Sequence, residues 1–138
     1  MKFVTSVVAV IFATCAIPCL AEDCSVTQGD LKFVEQLQAA VSARDTAWIA
    51  RHVALPLRVN QKGSVHWVKS ESDFKAEYDR IFTDKVKAKI AAQPLDTLFK
   101  NYVGIMIGHG AVWIYRAPPA TLDGEPGVDD YLIFAVNR

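Results

Sequence analysis

The spacing of apolar residues changes close to Leu98 in this chain of 138 residues. Before that point, apolar residues recur mostly three and four positions apart, which is typical of amphipathic helices. After it, the stretches LFKNYVGIMI, AVWIYR and YLIFAVN alternate or run continuously apolar, which predicts three strands. Helices that are segregated from an antiparallel sheet indicate the α+β class, with YLIFAVN as a central strand buried on both faces.

The first part of the chain predicts two helices, a β-hairpin and two further helices. The second helix is expected to continue past His52 and to stop before Pro56. LRVN and SVHWVK alternate on either side of QKG, which predicts a hairpin with Gly63 in its turn. Polar residues that cap helix N-termini mark the four helix starts, at Thr27, Asp45, Ser70 or Ser72, and Thr83.

These patterns together predict a core between the helices and the strands. Truncation of Phe134 to alanine is expected to cost about 3–5 kcal/mol if that side chain lies in a closed core. The residues expected to be largely buried are Leu37, Val41, Phe74, Tyr78, Phe82, Ile105, Ile114, Leu132, Phe134 and Val136.

Residues 1–21 have the pattern of a secretory signal peptide. Lys2 precedes an uncharged apolar run, residues 3–17, and Ala21 ends a CLA tripeptide with small residues where signal peptidase reads them. We therefore expect cleavage between Ala21 and Glu22 and export to the periplasm or beyond. Residues 22–138 then form a single domain by length.

The charge of the chain excludes some classes of binding partner, and its cysteine content excludes an internal disulfide. The chain has 15 basic and 15 acidic residues, so neither nucleic acid nor, after signal cleavage, a membrane is expected as a partner. Of its 3 cysteines, Cys24 alone follows the signal peptide, which excludes an intrachain disulfide. The histidines share no ligand spacing, so we expect no metal site and no cofactor.

The order of elements resembles that of the nuclear transport factor 2-like superfamily, as do LPLRVN after a helical pair, YDRIF on a helix, and LFKNYVGIMIGHGAVWI. The resemblance covers about Leu31 to Asn137 and is to small secreted bacterial members with no assigned activity. It implies a strongly curved antiparallel sheet wrapped around the first helix as a cone, with a pocket at the open end. A Gram-negative periplasm follows from this resemblance alone. The superfamily includes isomerases, cyclases, dehydratases, transport factors, immunity proteins and binding modules, so the fold does not give the function.

Few residues are candidates for catalysis. His109 lies between two glycines, and we interpret GHG as a solvated hairpin tip, where a catalytic base lacks burial and a partner. The predicted strands contain no Asp or Glu, which removes the pocket acid that superfamily isomerases use for proton transfer. If the protein is nevertheless an enzyme, His66 is the candidate base, and Tyr78 or Tyr102 is the candidate donor.

The strands carry arginine and aromatic side chains, which favours binding over catalysis. Facing the cone, these side chains suit a small anionic or amphipathic ligand; facing outward, they suit a protein partner, including a homodimer formed through the sheet. We therefore expect an exported, non-catalytic binding module. The ligand-binding candidates are Arg58, His66, Trp67, Tyr102, Trp113 and Tyr115.

Two alternatives to this function remain open. The first is an immunity or inhibitor protein, whose acidic Ala117–Val128 loop or strand face blocks an envelope-acting enzyme with a basic site. The second is an enzyme of the isomerase or dehydratase kind, which would use the proton-transfer candidates named above.

Export of the protein is the first testable prediction. Intact-mass analysis or N-terminal sequencing of the secreted protein should show a chain that begins at Glu22, because signal peptidase removes residues 1–21. Folded, soluble protein that retains Met1 to Ala21 would refute this prediction.

Overall fold

A computed structural model describes residues 24–118 and 130–138. Within these ranges, no helix is long and apolar enough to cross a membrane. The expected signal peptide, and all but the first two residues of the Ala117–Val128 loop, lie outside the described residues. The helices are α1 (Gln28–Ser42), α2 (Thr46–Arg51), α3 (Glu71–Ile81) and α4 (Asp84–Ala91), followed by a 3-10 turn, Leu95–Thr97. The strands are β1 (Val53–Gln61), β2 (Ser64–Val68), β3 (Phe99–Lys100), β4 (Ile105–Ile107), β5 (Val112–Arg116) and β6 (Tyr131–Asn137).

The four helices begin at the polar residues that the sequence indicates. Thr27 and Asp30 form a reciprocal capping box, in which each side chain accepts the backbone N–H of the other residue. Asp45, Ser70 and Thr83 each accept the backbone N–H three residues further on, at 2.9, 3.0 and 3.4 Å. Each cap satisfies an N–H that the helix itself leaves without a partner, so all four starts are set by local chemistry.

The hairpin of β1 and β2 is confirmed. Gln61 lies opposite Ser64, which leaves a two-residue turn between the strands. The φ angles of Lys62 and Gly63 in that turn are 39° and 85°. Both angles fall in the left-handed region that tight hairpin turns require and that glycine enters without strain.

The six strands form one sheet in the order β2-β1-β6-β5-β4-β3, with β2 and β3 at its open edges. The α+β class is confirmed, but the expected wholly antiparallel sheet is wrong, because β1 and β6 run parallel. These two strands are far apart in sequence, so no tight turn forces them to run in opposite directions. β1 also begins at Val53, earlier than expected, since its pairing with Ile133 of β6 replaces the last turn predicted for α2.

The strand expected from Leu98 to Ile107 is divided into β3 and β4. The Asn101 side chain accepts the N–H groups of Val103 at 2.9 Å and Gly104 at 3.2 Å, and so closes a turn between the two strands. A Cβ at Gly104 would lie 2.2 Å from the backbone oxygen of Ile114, so glycine is required there. As a result, β5 has no partner in β4 beyond Ile114.

The helices cover one face of the sheet and form the core with it. Phe33 of α1 stacks on Tyr131 of β6, with ring centroids 4.9 Å apart. Most residues expected in the core are buried, which confirms the predicted inward faces of α1, α3 and the strands. These buried residues are Leu37, Val41, Phe74, Tyr78, Phe82, Ile105, Ile114 and Val136.

The central position of β6 is confirmed, but its burial on both faces is wrong. Leu132 and Phe134 are only half-buried, because no helix of the described residues covers their side of the sheet. The register of β5 and β6 shifts after Trp113 and leaves Phe134 without an opposite residue. Phe134 packs instead against Tyr115, with ring centroids 5.7 Å apart.

Because the helices cover only one face of β6, truncating neighbouring residues of this strand should lower the free energy of unfolding by different amounts. Ile133→Ala should lower the free energy of unfolding by about 2–5 kcal/mol, because Ile133 is fully buried beneath the helices. Phe134→Ala should cost less than half as much, since Phe134 keeps contact with solvent. Urea unfolding of dilute protein measures both values. A larger loss for Phe134→Ala would mean that the outer side of β6 belongs to a closed core.

Candidate functional site

Asp30 is the only acidic residue that is buried in the described part of the chain, with 1% of its side chain exposed. Its Oδ1 accepts the Tyr131 hydroxyl at 2.8 Å. Its Oδ2 accepts the Lys100 ammonium and the Thr27 backbone N–H, both at 2.8 Å. A buried carboxylate is tolerated when charged and hydrogen-bonded partners replace water, and three such partners do so here.

Helix and strand geometry together assemble this network. Asp30 lies three and seven positions before Phe33 and Leu37, on the buried face of α1. Lys100 ends β3 and Tyr131 begins β6, so both side chains project at the ends of their strands. Asp30 therefore completes the capping box of α1 and also places its carboxylate against the sheet.

The protonation states follow from these contacts. Burial alone would raise the pKa of Asp30, but hydrogen bonds from Lys100, Thr27 and Tyr131 outweigh it and hold that pKa below its ordinary value of 3.8. Burial and the bond to Asp30 raise the pKa of Tyr131 to about 12. At neutral pH, Asp30 is therefore an anion and Tyr131 a neutral donor. A carboxylate that is ionised and fully bonded is a poor general base, so its role is to position Lys100.

A cleft of about 390 Å³ opens beside this network, a volume within the range of small-molecule sites. It lies where β5 extends past β4 and the Asn101–Gly104 turn forms the opposite wall. We call it the Asp30 cleft, and its walls include Thr27, Asp30, Lys100, Tyr102, Tyr115 and Arg116.

The ionised groups of the Asp30 cleft are more positive than negative. Asp30 and Lys100 balance one another, and the Lys100 side chain remains 20% exposed. Arg116 is exposed, and it is in none of the ion pairs formed among the described residues. Tyr102 is 82% exposed and supplies aromatic surface at the cleft, whereas the Tyr115 ring packs against Phe134 on the outer side of the sheet.

The predicted ligand-binding residues are divided between the Asp30 cleft and the outer side of the sheet. Tyr102 and Tyr115 line the cleft. Arg58 lies opposite Trp67, and both lie in register with Trp113 through β6, so the three side chains share a face. This face is the one opposite the helices, and we call it the open face. The structure thus separates the Asp30 cleft from an aromatic surface on the open face, and a role in ligand binding for these residues stays a prediction.

The candidate catalytic residues occupy three different environments. His66 bonds Glu77 of α3, with 3.0 Å between Nε2 and Oε2, at a cavity on the β2 edge of the sheet. Tyr78 is buried in α3, burial raises its pKa, and its hydroxyl has no hydrogen-bond partner among the described residues. Tyr102 lies in the Asp30 cleft. The structure therefore does not assemble them into one constellation.

The GHG sequence is a hairpin turn between β4 and β5, as the glycines predict. Gly108, His109 and Gly110 have φ angles of 61°, 55° and 87°, and the His109 side chain is exposed. Histidine in this position has neither the burial nor the charged partner that tunes a catalytic base. Among the described residues, no three or more His, Cys, Asp or Glu side chains come together as a metal site.

Sequence reasoning missed Asp30 as a site residue. The absence of acids from the strands indicates that no carboxylate reaches the sheet from within it, but Asp30 reaches it from α1. The position of Asp30 in the sequence is the feature that could have identified it. The third residue after the Thr27 cap also falls on the helical face of Phe33 and Leu37, so one carboxylate both caps the helix and points inward.

Comparison of the chain with models of protein families, with curated proteins and with solved structures finds no match. The nuclear transport factor 2-like resemblance therefore stays a prediction. The function of the Asp30 cleft must be inferred from its own chemistry, which is that of a locked ion pair, an exposed tyrosine and an arginine that forms no ion pair within the described residues.

Substitution of Asp30 tests the buried network. Asp30→Asn keeps the shape of the side chain and removes its charge, so stability at neutral pH should fall by roughly 1.5–3 kcal/mol. Because the pKa of Asp30 is lowered in the folded protein, its contribution is present above 3.8 and disappears as the pH falls through the folded-state pKa. Urea unfolding of both proteins from neutral to strongly acidic pH measures this difference.

Asp73→Asn is the matched control for this measurement. Asp73 occupies the same helical position in α3, three residues after the Ser70 cap, but it is exposed. We expect that change to alter stability by less than about 0.5 kcal/mol. Equal losses for the two variants would show that Asp30 acts only as a helix-capping residue.

Proposed function

We propose that the protein is an exported, non-catalytic binding module whose Asp30 cleft holds a small anionic or amphipathic ligand. One observation carries the proposal: two cations, Lys100 and Arg116, lie with the exposed Tyr102 in the walls of the same cleft. Cations supply charge-assisted hydrogen bonds to a carboxylate or similar anion, and aromatic rings supply apolar contact for the rest of the ligand.

Lys100 is presented to the cleft in a defined position. Its ammonium group has three N–H donors, of which the 2.8 Å bond to Asp30 uses one. That bond orients the side chain before any ligand arrives, which reduces the conformational entropy lost on binding. The remaining donors and the exposed Arg116 guanidinium suit one anionic group at the mouth of the cleft.

Several observations favour binding over catalysis at this cleft. The Asp30 carboxylate is ionised and satisfied, and Tyr131, with a pKa of about 12, donates to it rather than to the cleft. The candidate base His66 bonds Glu77 at a different cavity. An isomerase or dehydratase is therefore the least supported of the candidate functions.

The proposal also includes the cellular compartment of the protein and the fold family of its domain. The signal-like segment, residues 1–21, supports export, with the periplasm as the compartment that the resemblance implies. The α+β class and the long α1 packed on the sheet support a nuclear transport factor 2-like domain. In that arrangement the sheet would curve as a cone around α1, and the Asp30 cleft would be its pocket.

A protein partner is the second candidate function. It is favoured by aromatic side chains on the open face, where Trp67 is 49% exposed. An immunity or inhibitor protein would use this face or the acidic Ala117–Val128 loop. If the partner binds through the loop, we expect association to become slower as the salt concentration rises. Binding should also be lost when the loop carboxylates are neutralised, which are Asp123, Glu125, Asp129 and Asp130.

Two probes of equal chain length and opposite charge test the cleft. We expect octanoate to bind the purified protein and octyltrimethylammonium not to bind, because the unpaired charge of the cleft is positive. Arg116→Gln should weaken octanoate binding roughly tenfold, which corresponds to the loss of one charge-assisted hydrogen bond. Isothermal titration calorimetry measures all of these affinities.

Arg58→Gln is the matched control, since it removes the same charge from the open face. It should leave octanoate binding unchanged. Equal weakening by both variants, or equal binding of the two probes, would contradict an anion site in the Asp30 cleft. Mass spectrometry of small molecules released from the purified protein should identify a ligand that Arg58→Gln retains and Arg116→Gln loses.

A further inference from the structure

A second cavity, of about 350 Å³, lies at the β3 edge of the sheet and shares no lining residue with the Asp30 cleft. It is bordered on one side by the end of α4 and the 3-10 turn that follows. On the other side it is bordered by β3, β4 and the GHG turn. We call it the GHG cavity, and its lining residues include Lys89, Gln93, Pro94, Phe99, Met106 and His109.

The GHG turn packs directly on α4. A Cβ at Gly108 would lie 2.8 Å from the Cβ of Lys89, which is closer than two such atoms approach, so this contact requires glycine. The Gly108 backbone N–H also donates to Oε1 of Gln93 at 2.9 Å. Because the turn is fixed at Gly108, the next residue, His109, is held at the border of the cavity together with Lys89.

Hydrogen bonds from two glutamines fix the wall that α4 contributes. Nε2 of Gln93 donates to the backbone oxygen of Pro94 at 2.9 Å, so both ends of the Gln93 amide are bonded. Nε2 of Gln38 in α1 donates to the backbone oxygens of Ile90 and Gln93, at 2.9 and 2.8 Å. Carbonyl groups at a helix C-terminus disfavour a nearby anion, and these two are bonded to α1 instead. The wall is therefore in place before a ligand binds, which reduces the entropy lost on binding.

The lining of the GHG cavity combines apolar surface with two nitrogen donors. Phe99 is 48% exposed and lies opposite Met106, and both an aromatic ring and a thioether pack favourably against another aromatic ring. The Lys89 ammonium is in none of the ion pairs formed among the described residues. The His109 imidazole offers an N–H donor in either protonation state. Of the described residues that line the cavity, none is acidic.

We propose that the GHG cavity is a second ligand site of the protein and that it takes a small aromatic carboxylate. The ring of such a ligand contacts Phe99 and Met106, and its carboxylate accepts hydrogen bonds from Lys89 and His109. A cationic ligand is disfavoured, because Lys89 repels it and no lining acid of the described residues offsets that repulsion. An apolar cavity of this volume with a few polar groups is typical of small-molecule sites.

Titration of isotopically labelled protein with benzoate, followed by NMR, tests the site. The backbone amide signals of Gly108, His109 and Gly110 should shift as benzoate is added, because these residues form the turn at the border of the cavity. Benzamide has the same shape without the negative charge. It should bind about tenfold more weakly at the same signals, which corresponds to the loss of a charge-assisted hydrogen bond.

Single substitutions separate the parts of the site. Lys89→Gln should weaken benzoate binding about tenfold, whereas Lys85→Gln, which removes the same charge from an exposed position of α4 outside the cavity, should leave it unchanged. His109→Asn keeps a residue that tolerates a positive φ and should weaken benzoate binding roughly threefold. Phe99→Leu should weaken benzoate and benzamide alike, because both ligands use the ring contact.

The inference does not depend on a ligand in the Asp30 cleft, and the same titration distinguishes the two sites. Shifts confined to the amides of Tyr102 and Arg116 would place benzoate in the Asp30 cleft alone, and would overturn the second site while supporting the first. Equal affinity for benzoate and benzamide at the GHG turn would overturn it, as would equal weakening by Lys89→Gln and Lys85→Gln. Circular dichroism of each variant verifies that it is folded.

Discussion

The arrangement of this fold depends on the buried Asp30 carboxylate. It accepts hydrogen bonds from Thr27 before α1, from Lys100 at the end of β3 and from Tyr131 at the start of β6. Removing one partner would leave a charged or polar group unsatisfied in the interior, at a cost of several kcal/mol. These bonds therefore hold the N-terminus of α1 against the end of the sheet. The Asp30 cleft lies beside them, because the ammonium group that satisfies Asp30 is also the cation that lines the cleft.

The sheet separates two surfaces with different chemistry. The helix-facing side is filled mainly by apolar side chains, and the opening beside Asp30 carries Arg116. The open face carries tryptophan side chains around Arg58. In the proposed function, Arg116 recognises a ligand, whereas Arg58 lies on the open face. Because the two arginines lie on different surfaces, each can be changed without disturbing the other.

Sequence patterns predicted the local elements well and the long-range ones incompletely. The caps at Thr27, Asp45 and Thr83, the Gly63 turn and the GHG turn are as expected, since each depends on residues within a few positions of one another. Phe134 was expected in a closed core, and it is half-buried because a continuous apolar run does not reveal which side of β6 the helices cover. Tyr102 and Tyr115 were among the predicted ligand residues, but nothing in their spacing associates them with Asp30.

The sequence by itself determined the α+β class, the helix starts and the tight turns, because capping and turn geometry are properties of short segments. Only the tertiary structure decided that β1 runs parallel to β6, that one face of the sheet stays open, and that Asp30 turns inward to Lys100. These outcomes depend on contacts between distant residues, as in the bond between Asp30 and Tyr131, which are 101 positions apart. A periodic pattern specifies that a face is apolar, whereas the partner of that face is set by how all the elements pack together.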